Sequence, residues 1–430
     1  MEHTFRMVAK TFGGLEEVLR DELIALGALN VEIGLRMVEF EGDLEMMYKA
    51  NLCCRTALRI LKPIYTFEAS DPDELYDAVR DIDWEKYLTP DSTFAIDSTV
   101  HSQEFRHSKY VTYRVKDGIV DHFTDTVGRR PSIRIVGADL LLNVHISGRE
   151  VTISLDSSGE PLSKRGYRVE QTQAPINEVL AAGLILKTGW RGDCAFLDPM
   201  CGSGTFLIEA ALIAANINPG IYRRGFAFEK WPDFDADLFE RLYNDDEGER
   251  IPTHPILGGD IDPEAVGITR KNIASARVGD FVKVKCQSIS EWKELPEGES
   301  SESNPDLMPR EGVLVTNPPY GERLRPEKIE ELYRLIGECL KKNFKGWHAW
   351  ILGYRPELFD SIRLKSSVRY PILNGALECS FREYVLFDGK YNEFRASGGE
   401  IKDRNAIPQR DLTRRVFTSR KPKNTPPRNK

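Results

Sequence analysis

Two short stretches carry side chains that could do chemistry together. Leu197-Asp198-Pro199-Met200-Cys201-Gly202-Ser203-Gly204-Thr205-Phe206 follows an apolar run and opens a helix. A glycine turn in that position can hold a nucleotide-like cofactor at the carboxyl edge of a parallel sheet. Asn317-Pro318-Pro319-Tyr320 follows a second apolar run, Gly312 to Thr316. Its consecutive prolines restrict the turn and leave the Asn317 side-chain oxygen and the Pro318 carbonyl as acceptors for an amino group, while Tyr320 can stack on a planar heterocycle. Between the two, Asp260-Ile261-Asp262-Pro263 ends another strand. Asp260 can accept both hydroxyl hydrogens of a ribose, Asp262 can cap the next helix, and Ile261 can pack on an adenine plane. Gln287 or Ser288, after a third strand, can read the adenine edge.

The glycine pattern excludes two familiar alternatives. It lacks the fuller fingerprint of a dinucleotide site and the Gly-Lys-Ser or Gly-Lys-Thr ending of a P-loop. Cys201 lies in the turn with no adjoining histidine relay, which favours packing over nucleophilic catalysis. The seven cysteines form no zinc-like pair of pairs, so no metal is expected.

These groups need elements to position them. Cys194 to Leu197 predicts a strand, Thr205 to Asn216 a helix, Pro255 to Gly259 a strand, Glu264 to Ala276 a helix and Phe281 to Cys286 a strand, in the alternating order of an α/β domain. A helix over Pro175 to Lys187 precedes them, with Asn177 or Glu178 able to cap or buttress the cofactor edge. Ile217 to Thr253 reads as an insertion whose Trp231, Phe234 and Phe239 either line a lid or pack in a core. Earlier, a strand over Thr4 to Ala9, a helix from Leu15 to Leu26, short strands within Val31 to Phe40 and a helix over Asp43 to Leu61 form a small α/β unit. Helices over Pro72 to Arg80 and Tyr110 to Arg129, with strands at Phe94 to Val100, Ser132 to Val136, Leu140 to Ser147 and Glu150 to Asp156, form a second.

A chain of 430 residues with 41% hydrophobic content has room for two or three domains with a substantial core. No apolar run is long enough to cross a membrane, and the first residues lack a secretory pattern, so a cytoplasmic location is expected. The net charge of -8 argues against a generally basic face, yet Ile401 to Lys430 holds ten Lys or Arg and two Asp, about +8 against about -16 for the rest. Phosphate neutralisation needs a local basic surface, not a basic average. Arg106 and Lys109, and the cluster Lys164-Arg165-Gly166-Tyr167-Arg168, are further candidates for RNA phosphates or bases.

On these motifs the chain resembles the class I S-adenosylmethionine-dependent methyltransferases, in particular the bacterial THUMP-domain enzymes that form N2-methylguanosine in 23S ribosomal RNA. Asp198 to Gly204 is similar to the family's cofactor loop, Asp260 to Pro263 to its ribose-acid region, and Asn317 to Leu324 to its amino-methylation motif. The resemblance covers about Met1 to Lys390. It implies an α/β protein with a ferredoxin-like region over residues 1–60, a THUMP RNA-binding domain over 61–156, a linker over 157–175, and a Rossmann-like domain over 176–390 with a seven-stranded, mostly parallel sheet. A basic tail over 391–430 follows. It further implies S-adenosylmethionine held by Asn177, Asp198, Cys201, Gly202, Gly204, Thr205, Asp260, Ile261, Gln287, Ser288 and Asn317. Asn317, Pro318 and Tyr320 would act on a guanine, and Arg323 would join the RNA-facing residues. Many relatives carry an acid where Gln287-Ser288 stand. The partner is RNA, the chain is expected to work as a monomer, and transfer-RNA guanine methylation or a noncatalytic RNA-binding assembly role are the alternatives.

Overall fold

The computed structural model describes residues 4–293, 308–319, 326–375 and 377–387. The N-terminal part runs β1 (Phe5–Lys10), α1 (Glu16–Ala25), β2 (Leu29–Gly34), β3 (Met37–Gly42), α2 (Leu44–Cys53), β4 (Arg59–Glu68), α3 (Pro72–Arg80), β5 (Thr93–His101), α4 (Ser108–Val127), β6 (Ser132–Ile133), β7 (Leu140–Ser147) and β8 (Glu150–Asp156). Its strands form one eight-stranded sheet in the order β2-β3-β1-β4-β8-β7-β5-β6.

The helix expected over Asp43 to Leu61 is shorter, and its end is fixed by a carboxylate distant in the chain. Asp43 caps α2 by accepting from the Met46 N–H at 2.8 Å, and the helix stops at Cys53, after which Cys54 turns extended. Glu22 on α1 then accepts the Arg55 and Thr56 N–H groups at 2.8 and 3.0 Å, which fixes the turn into β4. β4 pairs with β1 through Arg59 to Leu61 and with β8 from Leu61 onward, with an irregularity between Pro63 and Tyr65 where the missing proline N–H interrupts the ladder. The boundary placed between residues 60 and 61 therefore falls inside a strand shared by both halves of the sheet.

The C-terminal part runs α5 (Glu178–Thr188), β9 (Ala195–Asp198), α6 (Thr205–Ala214), α7 (Ala236–Tyr243), β10 (Ile256–Asp260), α8 (Pro263–Ser275), β11 (Val282–Cys286), β12 (Gly312–Thr316), α9 (Pro326–Asn343), β13 (Trp347–Gly353), α10 (Pro356–Ser361), β14 (Val368–Asn374) and β15 (Leu377–Val385). Seven strands lie in the order β11-β10-β9-β12-β13-β15-β14, and β15 alone runs against its neighbours. Alternation along the strands separates two cores. Phe196, Val315, Trp350 and Phe381 face α5, α6 and α8, while Leu197, Leu314, Ile351 and Tyr384 face α9 and α10.

The insertion after α6 packs away from any lid position. Phe228 stacks on Tyr48 with centroids 4.4 Å apart, Phe234 and Phe239 meet Tyr48 edge-on at 5.9 and 5.6 Å, and Trp231 is buried in the N-terminal core. Of the two roles open to Trp231, Phe234 and Phe239, the structure takes the packed one and corrects the lid. The reverse contact is Leu15, which sits in the core of the C-terminal sheet and whose methyls fill the space above Gly183 on α5.

Candidate functional site

Strand order reverses between β9 and β12, and a crevice opens at the carboxyl ends of strands at such a point. The two motif-bearing segments leave the sheet there. Asp198 ends β9 and Thr316 ends β12, and the Thr316 hydroxyl donates to Asp198 Oδ1 at 2.9 Å, so the Asn317-Pro318 turn starts next to the glycine turn. Asn317 is half-buried, Pro318 buried and Pro319 exposed. Tyr320 and Arg323 lie outside the described residues.

Gly202 and Gly204 have φ of +54° and +79°, the left-handed region. A methyl group on Gly204 would stand 2.7 Å from the Thr269 methyl, whereas on Gly202 the nearest atom is the Thr172 hydroxyl at 3.6 Å. The turn is tied down on its protein side. Cys201 N–H donates to the Gly259 carbonyl at 2.8 Å, Thr269 Oγ1 donates to the Gly202 carbonyl at 2.7 Å, and Gly202 N–H donates to Asp260 Oδ2 at 2.9 Å. Asp260 Oδ1 accepts the Asp262 N–H at 3.0 Å, and Asp262 in turn caps α8 through the Glu264 N–H at 2.9 Å. A carboxylate has about four lone-pair positions, so two bonds leave capacity for the two hydroxyls of a ribose.

Asp198 is buried, and burial with the nearby Asp260 charge pushes its carboxyl up to about 7, against the opposing Met200 N–H and Thr316 hydroxyl. A raised native value means that the folded chain holds this proton more tightly than the unfolded one. The resulting stability is complete below the ordinary value of 3.8 and is lost as pH rises through about 7. Asp198→Asn is therefore expected to flatten the pH dependence of urea unfolding across that window, removing a slope of up to about 1.4 kcal/mol per pH unit. Parallel curves for the two proteins would refute a tightly held proton at Asp198.

The other expected site residues divide clearly. Thr205 starts α6 and is buried, Gln287 N–H donates to the Asp260 carbonyl at 3.0 Å, and Ile261 is 74% exposed at the same edge. Ser288 spends its hydroxyl capping a short turn, accepting the Ser290 N–H at 3.3 Å. Asn177 caps α5, its oxygen accepting the Val179 and Leu180 N–H groups at 3.0 and 3.3 Å, so it fits a buttress. Cys201 is buried and burial raises its thiol well above the usual range, in keeping with packing.

Among the RNA candidates, Arg106 and Lys109 are exposed and line a shallow concavity with His107, Ser108, Tyr110 and Tyr113 at the start of α4. Lys164 is exposed and pairs with Glu160 at 2.9 Å. Arg165 and Tyr167 are corrected. They are 2% and 1% exposed because Glu209, inside the otherwise apolar α6, takes the Tyr167 hydroxyl at 2.9 Å and lies 3.4 Å from the Arg165 Nε. Arg168 also turns inward, 2.9 Å from the Glu178 carboxylate and donating to Thr205 Oγ1 at 3.0 Å. Sequence reasoning did not find Thr172, Thr269, Asn272 and Thr316. Glu209 did carry a signal, as the lone charge in Thr205-Phe206-Leu207-Ile208-Glu209-Ala210-Ala211-Leu212.

The same layout occurs in known proteins. Residues 165–383 match the model of the RMKL-like methyltransferase domain, 69–156 that of the THUMP domain and 6–61 that of the RlmL ferredoxin-like domain. The Ribosomal RNA large subunit methyltransferase K/L of Syntrophotalea carbinolica is 37% identical over 404 residues, which are 91% of this chain and 55% of that protein. This chain spans only about half the length of such K/L relatives. The Synechocystis sp. protein slr0064, which carries an RNA methyltransferase name, is 36% identical over 379 residues, 87% of this chain and 95% of that one. The crystal structure of SMU.472 complexed with SAH is 32% identical and superposes with a TM-score of 0.78, covering 91% of this chain and all of that one. The matched segments follow one another from residue 6 to residue 383 in the order of the two sheets, and the chain belongs to the RMKL-like methyltransferase family.

Proposed function

We propose that the protein transfers a methyl group from S-adenosylmethionine to the exocyclic N2 of a guanine in 23S ribosomal RNA. The observation that carries this reading is the 2.9 Å bond from Thr316 to Asp198, which ties together the two adjacent strand ends from which the Asn317-Pro318 segment and the glycine turn leave the sheet. The names of the K/L relatives and the SAH in SMU.472 support the substrate and the cofactor. Bound S-adenosylmethionine would supply an electrophilic methyl group on a sulfonium.

The chain's own groups have separable tasks. Gly202 and Gly204 let the backbone approach the cofactor, and Asp260 accepts from its ribose while fixing Gly202 through the N–H it already binds. Ile261 offers an apolar face and Gln287 a polar one to the adenine. The lone pair of guanine N2 is delocalised into the ring, so orientation and hydrogen bonds from its amino hydrogens are what raise its reactivity. The Asn317 side-chain oxygen and the Pro318 carbonyl accept those hydrogens, and an extruded base would meet Tyr320. Neither acceptor is basic enough to keep a proton, so the one displaced by the methyl group passes to water.

Isotopically labelled S-adenosylmethionine, incubated with the protein and with undermodified ribosomal and transfer RNAs kept separate, should label ribosomal RNA and yield N2-methylguanosine by mass spectrometry. Label confined to transfer RNA would move the substrate. A different methylated nucleoside would overturn the chemistry, and RNA binding without cofactor binding would leave an assembly role.

A further inference from the structure

The family resemblance implies a linker over residues 157–175, yet from Arg165 to Thr172 they run along the cofactor edge, bonded to it repeatedly. Arg165 anchors the start. Its Nη2 donates to the Arg55 carbonyl at 2.5 Å in the N-terminal unit and its Nη1 to the Leu162 carbonyl at 2.9 Å, while its Nε faces Glu209, one turn into α6. Arg168 then bridges the first turns of two helices, reaching Thr205 on α6 and Glu178 on α5, with a further bond of 2.9 Å to the Ile176 carbonyl.

Beyond Arg168 the strap engages Asn272 and then, at Thr172, the glycine turn itself. The Val169 and Glu170 N–H groups donate to Asn272 Oδ1 at 2.9 and 3.2 Å, and Asn272 Nδ2 donates both to the Glu170 carbonyl at 2.9 Å and to the Ser203 carbonyl at 3.0 Å. Thr172 N–H donates to Ser203 Oγ at 2.8 Å, and the Thr172 and Ser203 hydroxyls are 2.9 Å apart. Ser203 is the middle residue of Gly202-Ser203-Gly204. Its carbonyl and its hydroxyl are thus both held by the strap or by the asparagine that the strap engages.

We propose that the 165–172 strap is a positioning element of the cofactor site, with Thr172 fixing Ser203 and through it the direction of the Gly202 and Gly204 backbone. This rests on the reading of that turn as the cofactor loop. Two flanking glycines would leave the turn free to sample many conformations, and each one excluded beforehand is an ordering cost not met when the cofactor binds. Thr172 is half-buried and Ser203 buried, so the hydroxyl pair is shielded enough to hold its geometry. Thr172 is a positioning residue: it acts on the cofactor through Ser203.

Titration calorimetry with S-adenosylhomocysteine tests this. Thr172→Val keeps shape and the backbone N–H but deletes the hydroxyl, and should raise the dissociation constant roughly 3- to 10-fold. Thr172→Ser should restore wild-type affinity, with RNA affinity unchanged and a melting temperature within about 2 °C of wild type in both variants. Wild-type affinity in Thr172→Val, a Thr172→Ser as weak as it, or a lowered melting temperature with unchanged affinity would each overturn the proposal. Gly204→Ala separates the two layers of inference, since its methyl would clash with Thr269 at a φ of +79°. If Gly204→Ala abolishes binding and Thr172→Val does nothing, the strap fails alone; if Gly204→Ala also binds normally, the cofactor-loop reading fails with it.

Discussion

Asn317→Ala is expected to slow single-turnover methyl transfer by roughly 10²- to 10³-fold, with the dissociation constants for RNA and for S-adenosylhomocysteine within about threefold of wild type. The magnitude follows from what the side chain is asked to do. An acceptor fixed beside a weakly nucleophilic amino group gains most of its interaction energy as positive charge builds on that nitrogen, and less in the ground state. Truncating it therefore lowers the rate more than it lowers affinity. The backbone around it should survive, because Pro318 and Pro319 restrict the turn independently and Thr316 keeps its bond to Asp198. Asn317→Asp sharpens the test by keeping an oxygen in place without the amide, and should retain more activity than alanine. Equal losses of RNA affinity and of rate in Asn317→Ala would mean that the segment serves as structure only.

Which parts of this molecule could be read from sequence depends on the distance between interacting residues. Helix α3 begins and ends where expected, at Pro72 and Arg80, because its start is written locally: Asp71 accepts the Asp73 and Glu74 N–H groups and Pro72 is set for the first turn. Strands β7, β8 and β12 likewise match their expected bounds, since each is an apolar or alternating run between turn residues. The Gly202-Ser203-Gly204 turn and the helix that starts at Thr205 were legible for the same reason, being contained in a few consecutive residues. The end of α2 was not, because the carboxylate that stops it, Glu22, is 33 residues from Arg55. The elements after residue 324 were implied only by family resemblance, with no expectation for their bounds.

The supports of the site were illegible on the same principle. Thr172 meets Ser203 across 31 residues, Asn272 meets it across 69, and Thr316 meets Asp198 across 118. None of these side chains stands out in its own neighbourhood. Lys164-Arg165-Gly166-Tyr167-Arg168 misled in the opposite way, since a basic and aromatic run resembles an RNA-facing surface until its partner is known. Two of its cations instead face carboxylates of the C-terminal domain, at Glu209 and Glu178, and only Lys164 is left at the surface.

That correction carries the largest expected stability effect. Arg165→Met should destabilise the protein by about 3–5 kcal/mol, because it strands a carboxylate taken entirely out of water. Glu209 is 0% exposed, and without Arg165 its remaining hydrogen bond comes from the Tyr167 hydroxyl, a single neutral donor. The same substitution removes the donor to the Arg55 carbonyl and so loosens the N-terminal unit from α6. Adding Glu209→Leu to Arg165→Met should recover a substantial part of the loss, since replacing both members of a buried pair removes the uncompensated charge. Urea unfolding of the two single variants and the double variant closes the cycle, and additive losses would show that the two residues do not act as a pair. RNA affinity gives an independent check. A guanidinium with no access to solvent cannot release counterions from a phosphate backbone, so folded Arg165→Met should keep the wild-type dependence of RNA affinity on salt, whereas Arg106→Ala or Lys109→Ala should each reduce that slope by about one. A flattened slope in Arg165→Met would mean that the junction opens when RNA binds.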